Sequence, residues 1–91
     1  MKVSLHALSR YRERIETEDA GDDDDLTDKI LHAYRHSRPV QLRSKKERIS
    51  KLLRHGVETQ YRQFGDMVLV VSDSVIISVY LYERQRWESL H

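Results

Sequence analysis

The chain predicts an α+β domain, three N-terminal helices followed by a three-stranded antiparallel meander sheet. Two observations carry that prediction. Apolar residues recur at helical spacing through the first 54 residues, and from residue 59 onward the period changes to two. The three strand-like runs of the second half are also separated by pairs of turn-forming residues, Gly65-Asp66 and Asp73-Ser74.

The first helix is placed at residues 3–15. Ser4 is its candidate N-cap, and Leu8, Tyr11 and Ile15 form a stripe with Ala7 beside it. Residues 16–25 read as a polar acidic connection containing Gly21. A second helix, about 25–36, takes the acids in its first turn, where they suit the positive end of the helix dipole. Leu26, Ile30, Ala33 and Tyr34 give it an apolar face, and Ser37-Arg38-Pro39 stops it. The third helix, about 44–54, opens with Ser44 and Glu47 in capping-box spacing. Ile49, Leu52 and Leu53 are its narrow apolar stripe, assigned to the core, and Gly56 ends it. Strands follow at 59–64, 67–72 and 75–83, rich in Val, Ile, Tyr and Phe. In the last, Ile77, Val79 and Leu81 are assigned to the helix-facing core, and Ile76, Ser78, Tyr80 and Tyr82 to the other side. Residues 85–91 read as a tail. The 91 residues suit a single domain.

Composition narrows the function. There is no cysteine, so disulfides and cysteine-bound zinc are excluded, an absence that fits a reducing cytosol and other compartments alike. No apolar run is long enough for a membrane span, and Met1-Lys2-Val3-Ser4-Leu5-His6 carries no apolar leader, so a cytoplasmic protein is expected. The net charge of +1 conceals a segregation. Glu16, Glu18, Asp19, Asp22, Asp23, Asp24, Asp25 and Asp28 follow one another with no intervening base. Arg35, Arg38, Arg43, Lys45, Lys46, Arg48, Lys51 and Arg54 then follow with one acid, Glu47, among them. Such a dipolar chain favours an anionic partner at its basic end. A solvated helix face is the plainer account of the same run.

The most informative cluster is His6, Arg10 and Arg14, spaced i, i+4, i+8 on the first helix and bordering Ala7. An imidazole can move protons near neutral pH, and two guanidinium groups can clamp a phosphate and stabilise charge developing on it. Those are the parts of a metal-independent ribonuclease. A half-exposed helix edge, with the arginines paired to Glu13 or to the acidic connection, explains the spacing equally well. His32 and His36 lie one helical turn apart, but no further ligand is in sight, so neither a metal nor any other cofactor is expected. The basic third helix, with Arg43, Lys45, Lys46, Arg48, Lys51 and Arg54, suits phosphate contact; Arg62, on the first strand, is a further candidate. A stripe so narrow argues against insertion into a membrane.

His6-Ala7-Leu8-Ser9-Arg10-Tyr11-Arg12-Glu13-Arg14, with Ile76-Ile77-Ser78-Val79-Tyr80 near the other end, resembles a family of small bacterial and phage domains. These open on His-Ala-x-x-Arg-x-x-x-Arg and close on an Ile-x-Thr-Val-Tyr strand, in a layout similar to RelE-like toxins and colicin-type RNases. Ser78 stands where that pattern has threonine, and Tyr11 where it has methionine; the acidic run at 22–25 has no counterpart in it. The resemblance implies an RNA-cleaving or RNA-binding fold with a site built from His6, Arg10, Arg14, Ser78 and Tyr80. It also implies RNA as substrate and a protein partner such as an antitoxin. The alternative is a non-catalytic accessory protein that docks on a host protein or nucleic acid.

Overall fold

The computed structural model describes residues 1–15, 21–55 and 59–90. Part of the acidic connection (16–20) and the Gly56 helix stop lie outside the described residues. Among those described there are three helices and a six-stranded mixed sheet. In chain order the elements are β1 (Lys2–Val3), α1 (Leu5–Arg14), α2 (Asp23–Arg35), β2 (Arg38–Leu42), α3 (Lys45–His55), β3 (Gln60–Phe64), β4 (Met67–Ser72), β5 (Val75–Leu81) and β6 (Trp87–Ser89). The predicted succession of helices and then a three-stranded meander is therefore incorrect. The meander exists as β3-β4-β5, but it is the middle of a sheet ordered β1-β5-β4-β3-β2-β6.

Three short strands account for the difference. β1 adds parallel to β5, Lys2 opposite Val75 and Val3 opposite Ile76. β2 lies between the second and third helices, antiparallel to β3 on one side and to β6 on the other. Its Pro39 would argue against a central strand. The β6 pairing, however, begins only at Val40–Ser89, so the missing proline N–H falls where that ladder has not started. The predicted tail contains a strand, Trp87–Ser89: Trp87, opposite Leu42, is 1% exposed.

Each face of the sheet holds its own core. Ala7, Leu8 and Tyr11 of α1 and Leu26, Ile30 and Ala33 of α2 pack on Met67, Leu69, Val71, Ile76 and Val79. On the opposite face Val40, Leu42, Val68 and Trp87 are buried, with Tyr61, Tyr80 and Tyr82 packed against them. Ser4 and Asp22 cap α1 and α2, accepting from the backbone N–H groups of Ala7 and Asp25.

Strand β5 departs from simple alternation. Between Val70 and Val71 the pairing steps from Ser78 to Ile76, leaving Ile77 as the extra residue of a bulge. Ile76 and Val79 therefore both face the helices, Ile77 is only partly buried, and Leu81 is exposed. The predicted Ile77–Val79–Leu81 core row is corrected accordingly.

The third helix also differs from expectation. Its stripe does not enter the core: Ile49, Leu52 and Leu53 are 59%, 44% and 83% exposed. Polar ties hold α3 near the sheet. Arg86 donates to Glu47 at 2.9 Å, Arg48 to Gln41 at 3.5 Å and Lys51 to Tyr80 at 3.0 Å. The Glu47 carboxylate, through that hydrogen bond first, raises the pKa of Arg86 above its ordinary value. No helix among the described residues is long and apolar enough to cross a membrane.

Candidate functional site

Strand β5 places Ser78 and Tyr80 on the face that α3 overlies, while α1 runs beside the same strand. The start of α1 is fixed to the bulge. The Ser4 N–H donates to the Ile76 carbonyl at 3.0 Å, and the Ser4 hydroxyl to that of Ile77 at 3.3 Å. Near the other end of α1, Arg14 donates to the Val79 carbonyl at 2.8 Å. Pinned at both ends, α1 turns its His6–Arg10–Arg14 ridge toward the edge of β5.

The outcome is a groove of about 490 Å3 lined by His6, Arg10 and Arg14 of α1, Lys51 and Arg54 of α3, and Ile77, Ser78 and Tyr80 of β5. All five residues proposed as a catalytic set from the sequence thus line one cavity. Two of the bases assigned to nucleic-acid contact join them. The bulge supplies Ile77, a lining residue that period-two reasoning could not place.

Tyr80 is the hub of this groove. Lys51 donates to its hydroxyl, and the Lys51 ammonium and Arg14 guanidinium lie 4.7 and 4.9 Å from its ring centroid. Because Lys51 has only protons to give, the Tyr80 oxygen accepts there and keeps its own proton for another partner. Ser78 is 4% exposed, lines the groove, and makes no side-chain hydrogen bond among the described residues. A serine hydroxyl lining the groove can both donate to and accept from an incoming group. Arg10 is bound by Glu13 at 2.7 Å, the helix-edge pairing that its spacing also allows. That pair is half exposed and exchangeable at low cost. Arg14 spends one nitrogen on the Val79 carbonyl and presents the rest of its fork to the groove.

The remaining predicted bases go elsewhere. Arg62 lies on the opposite face, donating to the Ser37 hydroxyl and carbonyl at 2.7 and 2.9 Å and stacking 5.5 Å from the Tyr34 ring. Arg43 donates to the carbonyls of Trp87 and Arg84 at 2.9 and 3.2 Å, so it fastens β6 to the end of β2. Arg48 lines a second groove on the other flank of α3. Lys45 and Lys46 are exposed at the start of that helix. The His32 and His36 rings pack tilted at 4.5 Å, and both lie near Phe64, which His32 meets edge to face. Among the described residues no three acidic or histidine side chains gather as a metal-ligand set.

The arrangement can hold an anion by several cations at once, with a phenol, an imidazole and a hydroxyl beside it. Comparison with protein-family models, with curated proteins and with solved structures finds nothing that matches this chain.

Proposed function

We propose that the chain is a small cytoplasmic RNA-binding protein and a metal-independent endoribonuclease, acting in the groove between α1, α3 and β5. The observation that carries this reading is the convergence of His6, Arg10, Arg14, Lys51 and Arg54, from helices far apart in sequence, on one serine and one tyrosine. Four cationic side chains facing one cavity, Arg10, Arg14, Lys51 and Arg54, repel one another, and a bound phosphodiester relieves that repulsion.

In this reading Arg10, Arg14, Lys51 and Arg54 hold the phosphate, and Ser78 orients it. His6 removes the proton from a ribose 2′-hydroxyl, whose oxygen attacks the adjacent phosphorus. The new P–O2′ bond forms as the P–O5′ bond breaks. Tyr80, its oxygen already held by Lys51, gives its proton to the departing O5′. The products are a 2′,3′-cyclic phosphate and a 5′-hydroxyl.

The binding half of the proposal is tested by titrating labelled single-stranded RNA with wild type and with two double variants. Lys51→Glu with Arg54→Glu alters the groove, whereas Lys45→Glu with Lys46→Glu alters the exposed start of α3. The groove pair is expected to weaken binding by more than about tenfold and to flatten the salt dependence. Equal loss in both pairs would show diffuse charge attraction instead of a site.

A binding module without catalysis is the second reading. It is favoured by the engagement of Arg10 with Glu13 and of Arg14 with the Val79 carbonyl, which gives both arginines a structural role.

A further inference from the structure

The third helix separates two grooves. Lys51 and Arg54 look into the one described above, while Arg48 and Leu52, one turn apart, line the other. This second groove has a volume of about 530 Å3, and Val40, Leu42 and Tyr61 line it together with polar Gln41, Thr59 and Gln60. Leu52 borders this groove and adjoins Ile49 and Leu53, so a band of exposed apolar side chains runs from the groove's rim over the crest of the helix. Exposure of large side chains in a continuous band marks a surface that is covered in use.

Charge decides what covers it. The helix carries Lys45, Lys46, Arg48, Lys51 and Arg54 against one acid, Glu47, and Arg86 already neutralises that acid. Two copies meeting stripe to stripe would set these bases against each other, so a second copy of the chain is disfavoured. A bilayer surface can meet the crest of the helix but cannot reach the floor of a groove between helix and sheet. A protein segment can do both. Arg48 is short of acceptors among the described residues: its Nε–H is shut off from solvent without a partner, and its guanidinium donates to Gln41 at 3.5 Å. A carboxylate entering the groove would meet the part of the Arg48 guanidinium that lines it.

We infer that α3 and the groove beside it form a docking surface for an acidic, amphipathic segment of another protein. Its large apolar side chains lie on Ile49, Leu52 and Leu53 and reach toward Val40, Leu42 and Tyr61. Its carboxylates meet Arg48 and the lysines at the start of the helix. The inference does not rest on the ribonuclease reading.

The test uses a fluorescein-labelled helical peptide of glutamate with leucines at helical spacing. Two controls accompany it, one with serine for leucine and one with lysine for glutamate. Saturable binding of the glutamate–leucine peptide alone is expected, weakened about tenfold by Ile49→Ser with Leu53→Ser and by Arg48→Gln. The two serines replace exposed side chains, and circular dichroism checks that the fold is kept. Four results would overturn the inference. They are no binding at millimolar peptide, equal binding of the serine control, stripe-dependent binding to anionic phospholipid vesicles without peptide binding, and a stripe-dependent dimer in sedimentation. RNA that displaces the peptide and loses affinity equally in the serine variant would assign the face to nucleic acid and overturn it too.

Discussion

Lys51 of α3 and Tyr80 of β5, 29 residues apart, are joined twice, by a hydrogen bond of 3.0 Å and by an ammonium 4.7 Å from the ring centroid. That link closes the groove, since the apolar stripe of α3 makes no core contact that could do so. Lys51→Met removes both interactions but keeps the alkyl stem. The expected loss of stability is about 1 kcal/mol, read as a lower Tm. The salt dependence of RNA binding should fall by about one phosphate contact in the same variant. An unchanged salt slope would separate Lys51 from the bound backbone.

The second hairpin stores removable strain. Asp73 and Ser74 both adopt positive φ, 55° and 62°, the pattern of a type I′ turn, at a cost for residues with a Cβ. Ser74→Gly is expected to stabilise the domain by about 0.5–1 kcal/mol, because glycine accepts that conformation freely. Its own greater freedom in the unfolded chain keeps the gain small. Thermal unfolding should show a Tm higher by a few degrees.

Trp87 anchors the second core at 1% exposure, and its indole Nε1–H has no acceptor among the described residues. Trp87→Ala is expected to cost about 3–5 kcal/mol, a large share of the stability of a domain this small. Trp87→Phe keeps much of the packing and deletes the unpaired donor, so its expected cost is about 1–2 kcal/mol. Urea unfolding of the two variants distinguishes them.

Alkaline pH should weaken the same core. Burial, and secondarily the neighbouring Tyr80, raises the Tyr61 hydroxyl above its ordinary pKa of 10.0. A raised value in the folded state leaves stability intact below pH 10.0. Above it the unfolded chain ionises first, and stability declines until folded Tyr61 also titrates. Tyr61→Phe should lessen that decline. Trp87, with its ring centroid 5.2 Å from that of Tyr61, reports the transition by fluorescence.

Parts of this architecture could be read from the chain, and the reasons differ by element. The α1 stripe of Leu8 and Tyr11 and the turns at Gly65 and Asp73 are local signals, and they lead to α1 and the β3-β4-β5 meander. β1, β2 and β6 have two, five and three residues, and each is defined by a partner distant in sequence. Alternation over so short a run carries little information, and Pro39 points away from a strand. The bulge at Ile77 inverts the faces on one side of it, which no periodicity could reveal. The Ile49–Leu52–Leu53 spacing correctly indicates an amphipathic helix, but spacing cannot tell a core-facing stripe from one left open. Spacing does set His6, Arg10 and Arg14 on one ridge. That Lys51 and Arg54 would meet them across Tyr80 depends on tertiary placement.

The groove account is tested most directly by incubating wild type and His6→Ala with labelled RNA in EDTA and analysing the product ends. Cleavage by wild type alone, leaving 2′,3′-cyclic phosphates, is the predicted result. Cleavage that persists in His6→Ala, or no cleavage by folded wild type on single-stranded or structured RNA, would contradict it.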